Sequence, residues 1–210
     1  MPIRLTKLDE LTRPDHTFIT AEDECFYLGE YTARRGFSFS EINNLINNLR
    51  KPMDRRGLPE WRYKEQAIVR CGNMLREGLN ADWLRTATLV PIPSSKTRDD
   101  PEYDNRLPRI LGELGRGAQL DIRELVLMTR NVSQSHLAEE RVSIEELVAS
   151  MAIEEALVEP TPQTIGVFDD VLTTGRHYKA VQQVLRTRFR AVPIIGVFVA
   201  RRVPEATPLL

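Results

Sequence analysis

Cysteine is scarce in this chain, which has only Cys25 and Cys71 among its 210 residues. Two cysteines so far apart cannot build a disulfide framework or a cysteine-rich structural zinc site. Their scarcity favours a reducing compartment, and we expect a soluble protein of the cytoplasm. The chain also lacks a charged start followed by a short apolar run, and it lacks an apolar run of membrane-spanning length. We therefore expect neither a secretory leader nor a membrane span.

An excess of either charge is also missing. The chain has 29 Lys and Arg residues against 30 Asp and Glu residues, so its formal net charge is −1. A balanced chain has no bulk field that would draw it to nucleic acid or to a membrane surface. A local basic patch that binds nucleic acid is the alternative, but solvated helix ends and loops explain the basic residues of the N-terminal region more simply. These are Arg34, Arg35, Arg50, Lys51, Arg55 and Arg56.

The sequence divides into two regions with different patterns. Residues 1–85 are predicted to form a mostly helical extension, with helices at 40–51 and 61–79 and a short strand or turn at 25–31. Residues 86–210 alternate strands with helices, which is typical of a parallel sheet built from βαβ units. The predicted strands there are 87–91, 125–129, 165–168 and 194–200, and the predicted helices are 105–114 and 176–188. We therefore expect an α/β fold with a parallel sheet flanked by helices.

The most informative stretch is TIGVFDDVLTTGR, from Thr164 to Arg176. The apolar run 165–168 fits a strand buried on both faces, so Asp169 and Asp170 are expected at its carboxyl end, where open α/β sheets bind ligands. Adjacent carboxylates can accept hydrogen bonds from the vicinal hydroxyls of a ribose. Thr-Thr-Gly then places hydroxyls and free backbone N–H groups at a helix start, which attracts phosphate. A solvated acidic turn after a buried strand, as in response-regulator-like domains, is the alternative, and it leaves Thr-Thr-Gly unexplained.

This stretch resembles the phosphoribosyl diphosphate (PRPP) motif of the type I phosphoribosyltransferases. That motif has four hydrophobic residues, two acidic residues, two variable residues and then Thr-Thr-Gly. The resemblance implies the fold of that family, and it makes Asp169 and Asp170 the ribose-binding catalytic pair. It implies a 5-phosphate loop formed by Val171, Leu172, Thr173, Thr174 and Gly175.

A PRPP site also needs a place for pyrophosphate, and the loop PIPSSK directly after strand 87–91 has the chemistry for it. Ser94, Ser95 and Lys96 offer hydroxyls, backbone N–H groups and a cation. An ordinary polar loop with a solvated lysine is the alternative.

The segment from Arg130 to Arg141 is the second candidate for contact with pyrophosphate. Its arginines could close over the bound ligand as a lid and exclude water from the reacting carbon. We expect Arg130 to bind pyrophosphate and Arg141 to act in catalysis. A solvated side chain explains His136 better than a role as general acid or base.

Residues 89–202 together resemble the ComF-like branch of the type I phosphoribosyltransferases. The resemblance rests on VPIP after the first core strand, on FDDVLTTG, and on Gln134, Leu137 and Arg141 in the order Q-x-x-L-x-x-x-R. The chain departs from that branch after Thr-Thr-Gly, where Arg176 and His177 replace small or hydroxyl residues.

The resemblance implies that a ring nitrogen of a nucleobase-like acceptor displaces pyrophosphate from the anomeric carbon of PRPP, or the reverse. Mg²⁺ is the implied metal, held mainly by the substrate, with Asp169 or Asp170 as candidate protein ligands. The implied partners are PRPP and a nucleobase or nucleotide, and the helices of residues 1–85 would form a hood over the base. A homodimer or a protein partner stays open. The alternative function is a regulator that binds PRPP or a nucleotide without turnover, or a subunit of a bacterial DNA-uptake or defence assembly.

Overall fold

The computed structural model describes residues 3–132 and 142–204, and strands from both regions of the sequence build its main sheet. The strands are β1 (Thr6–Lys7), β2 (Glu24–Thr32), β3 (Ala87–Pro91), β4 (Asp121–Ile122), β5 (Val126–Met128), β6 (Met151–Ile153), β7 (Thr164–Leu172) and β8 (Ile194–Val203). Six of them form one sheet in the order β1-β2-β8-β7-β3-β4, and β5 pairs with β6 in a separate sheet. Within the six-stranded sheet only β1 is antiparallel to its neighbour.

The helices flank this sheet. They are α1 (Glu41–Leu49), α2 (Arg62–Gly78), α3 (Ala81–Thr86), α4 (Arg106–Leu114), α5 (Ile144–Ala149) and α6 (Arg176–Arg188). The expected α/β fold with a parallel sheet flanked by helices is therefore confirmed at that level, and α6 has the predicted bounds. No helix in the described part of the chain is long and apolar enough to cross a membrane.

Residues 25–31, predicted as a short strand or turn, form the greater part of the nine-residue strand β2. Strand β2 runs parallel to β8, with register partners from Glu24 and Ile195 to Thr32 and Val203. The N-terminal region thus supplies two strands of the main sheet in addition to α1, α2 and α3.

The prediction that residues 125–129 form a strand of the main sheet is wrong. Strand β5 instead pairs antiparallel with β6, so that Val126 lies opposite Ile153. A short apolar run shows that a segment is buried, but not which sheet it joins. Here Leu125 and Val126 are buried in the hydrophobic core without pairing with β3 or β7.

Strand β7 continues past the predicted end at Phe168 and includes both acidic residues. Successive side chains of a strand point to opposite faces of the sheet. One face carries α2, where Gly78 contacts Leu28 of β2. The other face carries α6, where the ring of Tyr178 packs edge-on against Phe198 of β8 with ring centroids 6.0 Å apart. Because Asp169 is the register partner of Phe198, it lies on the α6 face, and Asp170 lies on the opposite face.

Candidate functional site

The carboxyl ends of β3, β7 and β8 meet at one edge of the sheet because these strands are parallel neighbours. The loop that follows β3 starts beside β7, since Pro91 is the register partner of Phe168 and the Ile92 N–H donates to the Phe168 carbonyl at 2.9 Å. The predicted ribose pair, the predicted 5-phosphate loop and the start of the predicted pyrophosphate loop therefore lie at this edge, which is where open parallel sheets bind ligands.

The predicted 5-phosphate loop has two structurally different parts. Val171 and Leu172 are buried residues of β7, so only Thr173, Thr174 and Gly175 form the turn that leads into α6. Gly175 has φ +84°, a left-handed conformation that residues with a side chain rarely adopt. No described residue accepts a hydrogen bond from the backbone N–H of these three turn residues. The turn therefore presents free donors at the positive end of a 13-residue helix.

An N-terminal segment, residues 12–19, contacts this turn. The buried His16 side chain uses Nδ1 to hydrogen-bond the carbonyl of Thr173, and the Phe18 N–H donates to the carbonyl of Thr174 at 2.9 Å. Ile19 packs directly against Gly175, since a Cβ added to that glycine would lie 2.5 Å from Ile19 Cδ1. Sequence reasoning missed this contact because 157 residues separate His16 from Thr173 and no local pattern marks it.

Asp170 is fully buried on the face of the sheet opposite α6, and two arginines on that face bond its carboxylate. Arg50, the residue after α1, donates from Nε to Oδ2 at 2.9 Å and from its terminal nitrogen to Oδ1. Arg106, the first residue of α4, also donates from Nε to Oδ2 at 2.9 Å. Burial alone would raise the pKa of Asp170, but the two guanidinium groups outweigh it and hold the pKa well below its usual range. Arg50 is exposed at the end of α1, as expected, and its guanidinium group also bonds the buried Asp170.

The ion pair at Asp170 belongs to a larger buried network. Arg106 also bonds Asp104 at 2.9 Å, and Asp104 accepts from Lys64 Nζ at 2.6 Å. Lys64 is 1% exposed and donates a further hydrogen bond of 2.8 Å to the carbonyl of Lys51. Asp104 and Arg106 thus connect Lys64 of α2 to Asp170.

Asp169 has the opposite environment. It is half-buried, and its Oδ1 accepts the Asp170 N–H at 2.7 Å. Burial, followed by the negative charge of Asp170, raises the pKa of Asp169 to about 7. The two carboxylates thus point to opposite faces of the sheet and have pKa values shifted in opposite directions, and no arginine in the described part of the chain bonds Asp169. A protein ligand for a substrate-bound cation would therefore come from Asp169, and the described residues hold no cluster of three or more His, Cys, Asp or Glu side chains that could bind a metal by themselves.

The loop predicted to bind pyrophosphate contacts the first residues of the predicted lid. The Val132 N–H donates to the Ser95 carbonyl at 2.9 Å, and the Thr97 N–H donates to the Asn131 side chain at 2.8 Å. Lys96 is half-buried and forms an ion pair with Glu102 at 2.7 Å. The structure therefore brings together the two predicted pyrophosphate segments, up to residue 132.

Not every predicted pyrophosphate residue can be located at this site. The Ser94 hydroxyl accepts a 3.4 Å hydrogen bond from the Lys96 N–H, which closes the loop locally. Arg130 is exposed at the end of the same segment. The predicted catalytic Arg141 and the neighbouring His136 lie outside the described residues.

A pocket of about 300 Å³ opens beside the predicted pyrophosphate loop. Its lining combines the apolar ends of β3 and β5 with charged side chains from that loop and from the segment before α4. Among the lining residues are Ile92, Lys96, Tyr103, Asp104, Val126 and Met128. Asp104 links this pocket to the network around Asp170.

Comparison with known proteins gives no assignment: no protein-family model and no curated protein matches this chain.

Proposed function

We propose that the chain binds PRPP at the carboxyl edge of β3 and β7 and acts as a phosphoribosyltransferase. The observation that carries the proposal is the turn Thr173–Gly175. The N-terminal segment bonds its first two carbonyls, while its N–H groups have no partner among the described residues. A turn of this kind before a long helix is suited to the dianionic 5-phosphate of a sugar.

Asp169 is suited to the ribose in this proposal. Its half-buried carboxylate lies on the α6 face, at the strand that leads into the phosphate turn, and can accept a hydrogen bond from a ribose hydroxyl. Asp170 has a different role, because both of its oxygens already accept from Arg50 or Arg106. We assign it as a positioning residue that fixes β7 relative to α1 and α4.

The pyrophosphate half of PRPP would occupy the loop after β3. There Lys96 would exchange its ion pair with the exposed Glu102 for the phosphate oxygens, which carry more charge. Mg²⁺ fits the donor set if it is held by the substrate with Asp169 as its protein ligand, and it would neutralise charge on the leaving pyrophosphate. The residues of this chain would orient the sugar and keep its anomeric carbon open to a ring nitrogen of the acceptor.

A second candidate function is a PRPP or nucleotide sensor that does not turn its ligand over. Two observations favour it: Asp170 is saturated by arginines, and Lys96 is paired with a carboxylate. A sensor needs only the phosphate turn and Asp169, whereas an enzyme must also bind and release pyrophosphate.

Calorimetric titration of PRPP with Mg²⁺ tests the shared part of both functions. We expect saturable binding of one PRPP per chain, weakened about tenfold in Asp169→Asn because the charged acceptor for the ribose hydroxyl is lost. Asp82→Asn is the matched control, since Asp82 is an exposed residue of α3 that pairs only locally with Arg85. Binding that is equal in wild type and Asp169→Asn would remove Asp169 from the site.

Release of pyrophosphate separates the enzyme from the sensor. Wild-type protein is incubated with PRPP, Mg²⁺ and each of a panel of nucleobases, and pyrophosphate is measured. Base-dependent release supports transfer. Binding of PRPP without release for any base would leave the sensor as the supported function.

The raised pKa of Asp169 predicts a pH dependence of ribose binding. Because its pKa is about 7, the carboxylate is mostly protonated at pH 6 and mostly ionised at pH 8. We expect the affinity for ribose 5-phosphate to rise about tenfold across this range through Asp169 alone. The phosphate also ionises near pH 6, so the comparison is made with Asp169→Asn. A pH profile of the same shape in that variant would contradict the assignment.

A further inference from the structure

The N-terminal segment and the phosphate turn make two successive backbone contacts. His16 bonds the Thr173 carbonyl, and the Phe18 N–H bonds the Thr174 carbonyl at 2.9 Å. A carbonyl oxygen only accepts, so Nδ1 of His16 carries the hydrogen in this contact. Both bonds thus fix the direction in which a peptide group of the turn points.

The direction of each carbonyl sets the direction of the next N–H. In a planar trans peptide the C=O of one residue and the N–H of the following residue point in opposite directions. The Thr173 and Thr174 carbonyls point to the N-terminal segment, so the N–H groups of Thr174 and Gly175 point away from it. These are the donors that have no partner among the described residues.

The segment is itself anchored on the sheet and on α6. Asp15 forms an ion pair of 2.8 Å with Arg201, a buried residue of β8 whose register partner is Leu172, the last residue of β7. The guanidinium of Arg176, at the start of α6, lies 5.0 Å from the ring centre of Phe18. The N-terminal segment is therefore itself fixed, by one contact beside the strand that precedes the turn and one at the helix that follows it.

We propose that His16 is a positioning residue for the phosphate turn, which holds the Thr173–Thr174 peptide so that its N–H faces the ligand. The proposal rests on the proposed function, because the ligand concerned is the 5-phosphate. Without the His16 donor, the Thr173 carbonyl would have to find another partner, and rotation of the peptide would turn the Thr174 N–H away from the phosphate. His16 itself touches no ligand in this scheme.

Two substitutions of His16 separate positioning from packing. His16→Leu fills the buried space without a donor. His16→Asn retains one, because its Nδ2 is attached to Cγ as Nδ1 is in histidine. In calorimetric titration with ribose 5-phosphate, we expect His16→Leu to bind about tenfold more weakly than wild type and His16→Asn to recover most of the loss. Equal binding by wild type and folded His16→Leu, or equal losses in both variants, would overturn the proposal.

A measurement on the wild-type protein covers the case in which His16→Leu does not fold. In an amide NMR spectrum, saturating ribose 5-phosphate should move the Thr174 and Gly175 amide protons downfield, as expected of new hydrogen bonds to phosphate. A shift of the Gly175 amide without a shift of the Thr174 amide would overturn the role of His16 while leaving the proposed function standing. Binding that moves neither amide would contradict the placement of the phosphate at the turn, and the role of His16 with it. Absence of ribose 5-phosphate binding to the folded wild type would instead contradict the proposed function, and the inference about His16 with it.

Discussion

Replacing Asp170 with asparagine should lower the free energy of unfolding by about 3–5 kcal/mol, the cost of breaking a buried ion pair from one side. The carboxylate is fully buried and accepts from Arg50 and Arg106, so the variant removes the counter-charge of Arg50 and one of the two carboxylates that Arg106 bonds. The side chain of Arg106 is only 22% exposed and cannot turn freely to water. Urea unfolding of wild type and variant, followed by circular dichroism, measures this loss.

The same substitution one residue earlier is the matched control and should have the opposite sign. The folded protein binds the Asp169 proton more tightly than the unfolded chain does, because the pKa is raised to about 7. Ionisation of Asp169 therefore costs stability progressively as the pH rises from about 4 to 7, and the whole cost is present above that range. At about pH 8, Asp169→Asn should raise the free energy of unfolding, by about 1 kcal/mol or more. If both variants lose stability equally, the assignment is wrong that Asp170 stabilises the fold through its ion pairs whereas ionisation of Asp169 costs stability.

Replacing Gly175 with alanine should damage both stability and phosphate binding. The alanine must adopt φ +84°, and its Cβ would lie 2.5 Å from Ile19 Cδ1 in a buried contact. Left-handed strain costs about 1–2 kcal/mol, and overpacking of a buried site adds about 1–3 kcal/mol. Relief of the clash moves the turn relative to the N-terminal segment, so ribose 5-phosphate should bind at least about tenfold more weakly.

Gly117→Ala isolates the contribution of the backbone conformation. Gly117 has φ +81°, close to that of Gly175, but nothing lies within 4 Å of the position of its Cβ. The free energy of unfolding of this variant should therefore fall only by the cost of the left-handed strain, and the variant should bind ribose 5-phosphate as wild type does. Unfolding and calorimetry on the pair give the contribution of the Ile19 contact by difference. Equal losses in the two variants would show that the packing of Ile19 on the turn has no energetic weight.

Local patterns were sufficient to predict the elements that form the site. The apolar run before the acidic pair predicted β7, and the glycine before an amphipathic stretch predicted the start of α6 at Arg176, which is confirmed. Strand β3 was predicted with its observed bounds from the change to alternating strands and helices after residue 86. These features depend on neighbouring residues, and such features are readable from one sequence.

The partners of the site residues could not be predicted, because they come from distant parts of the chain. The residues that bond Asp170 are 120 and 64 positions away from it, and His16 is 157 positions from Thr173. Nothing in the spacing of arginines distinguishes Arg50, which binds a buried carboxylate, from its solvated neighbours. The length of β2 was underestimated because its pairing with β8 depends on tertiary contact, and local preference is a weak guide to such strands.

The most direct test of the central claim is to determine where ribose 5-phosphate binds, by solving a crystal structure of the wild-type protein soaked with it. We expect the phosphate within hydrogen-bond distance of the Thr174 and Gly175 N–H groups, and a ribose hydroxyl within hydrogen-bond distance of Asp169. Density for the phosphate in the pocket between Lys96 and Met128, with the turn empty, would contradict it.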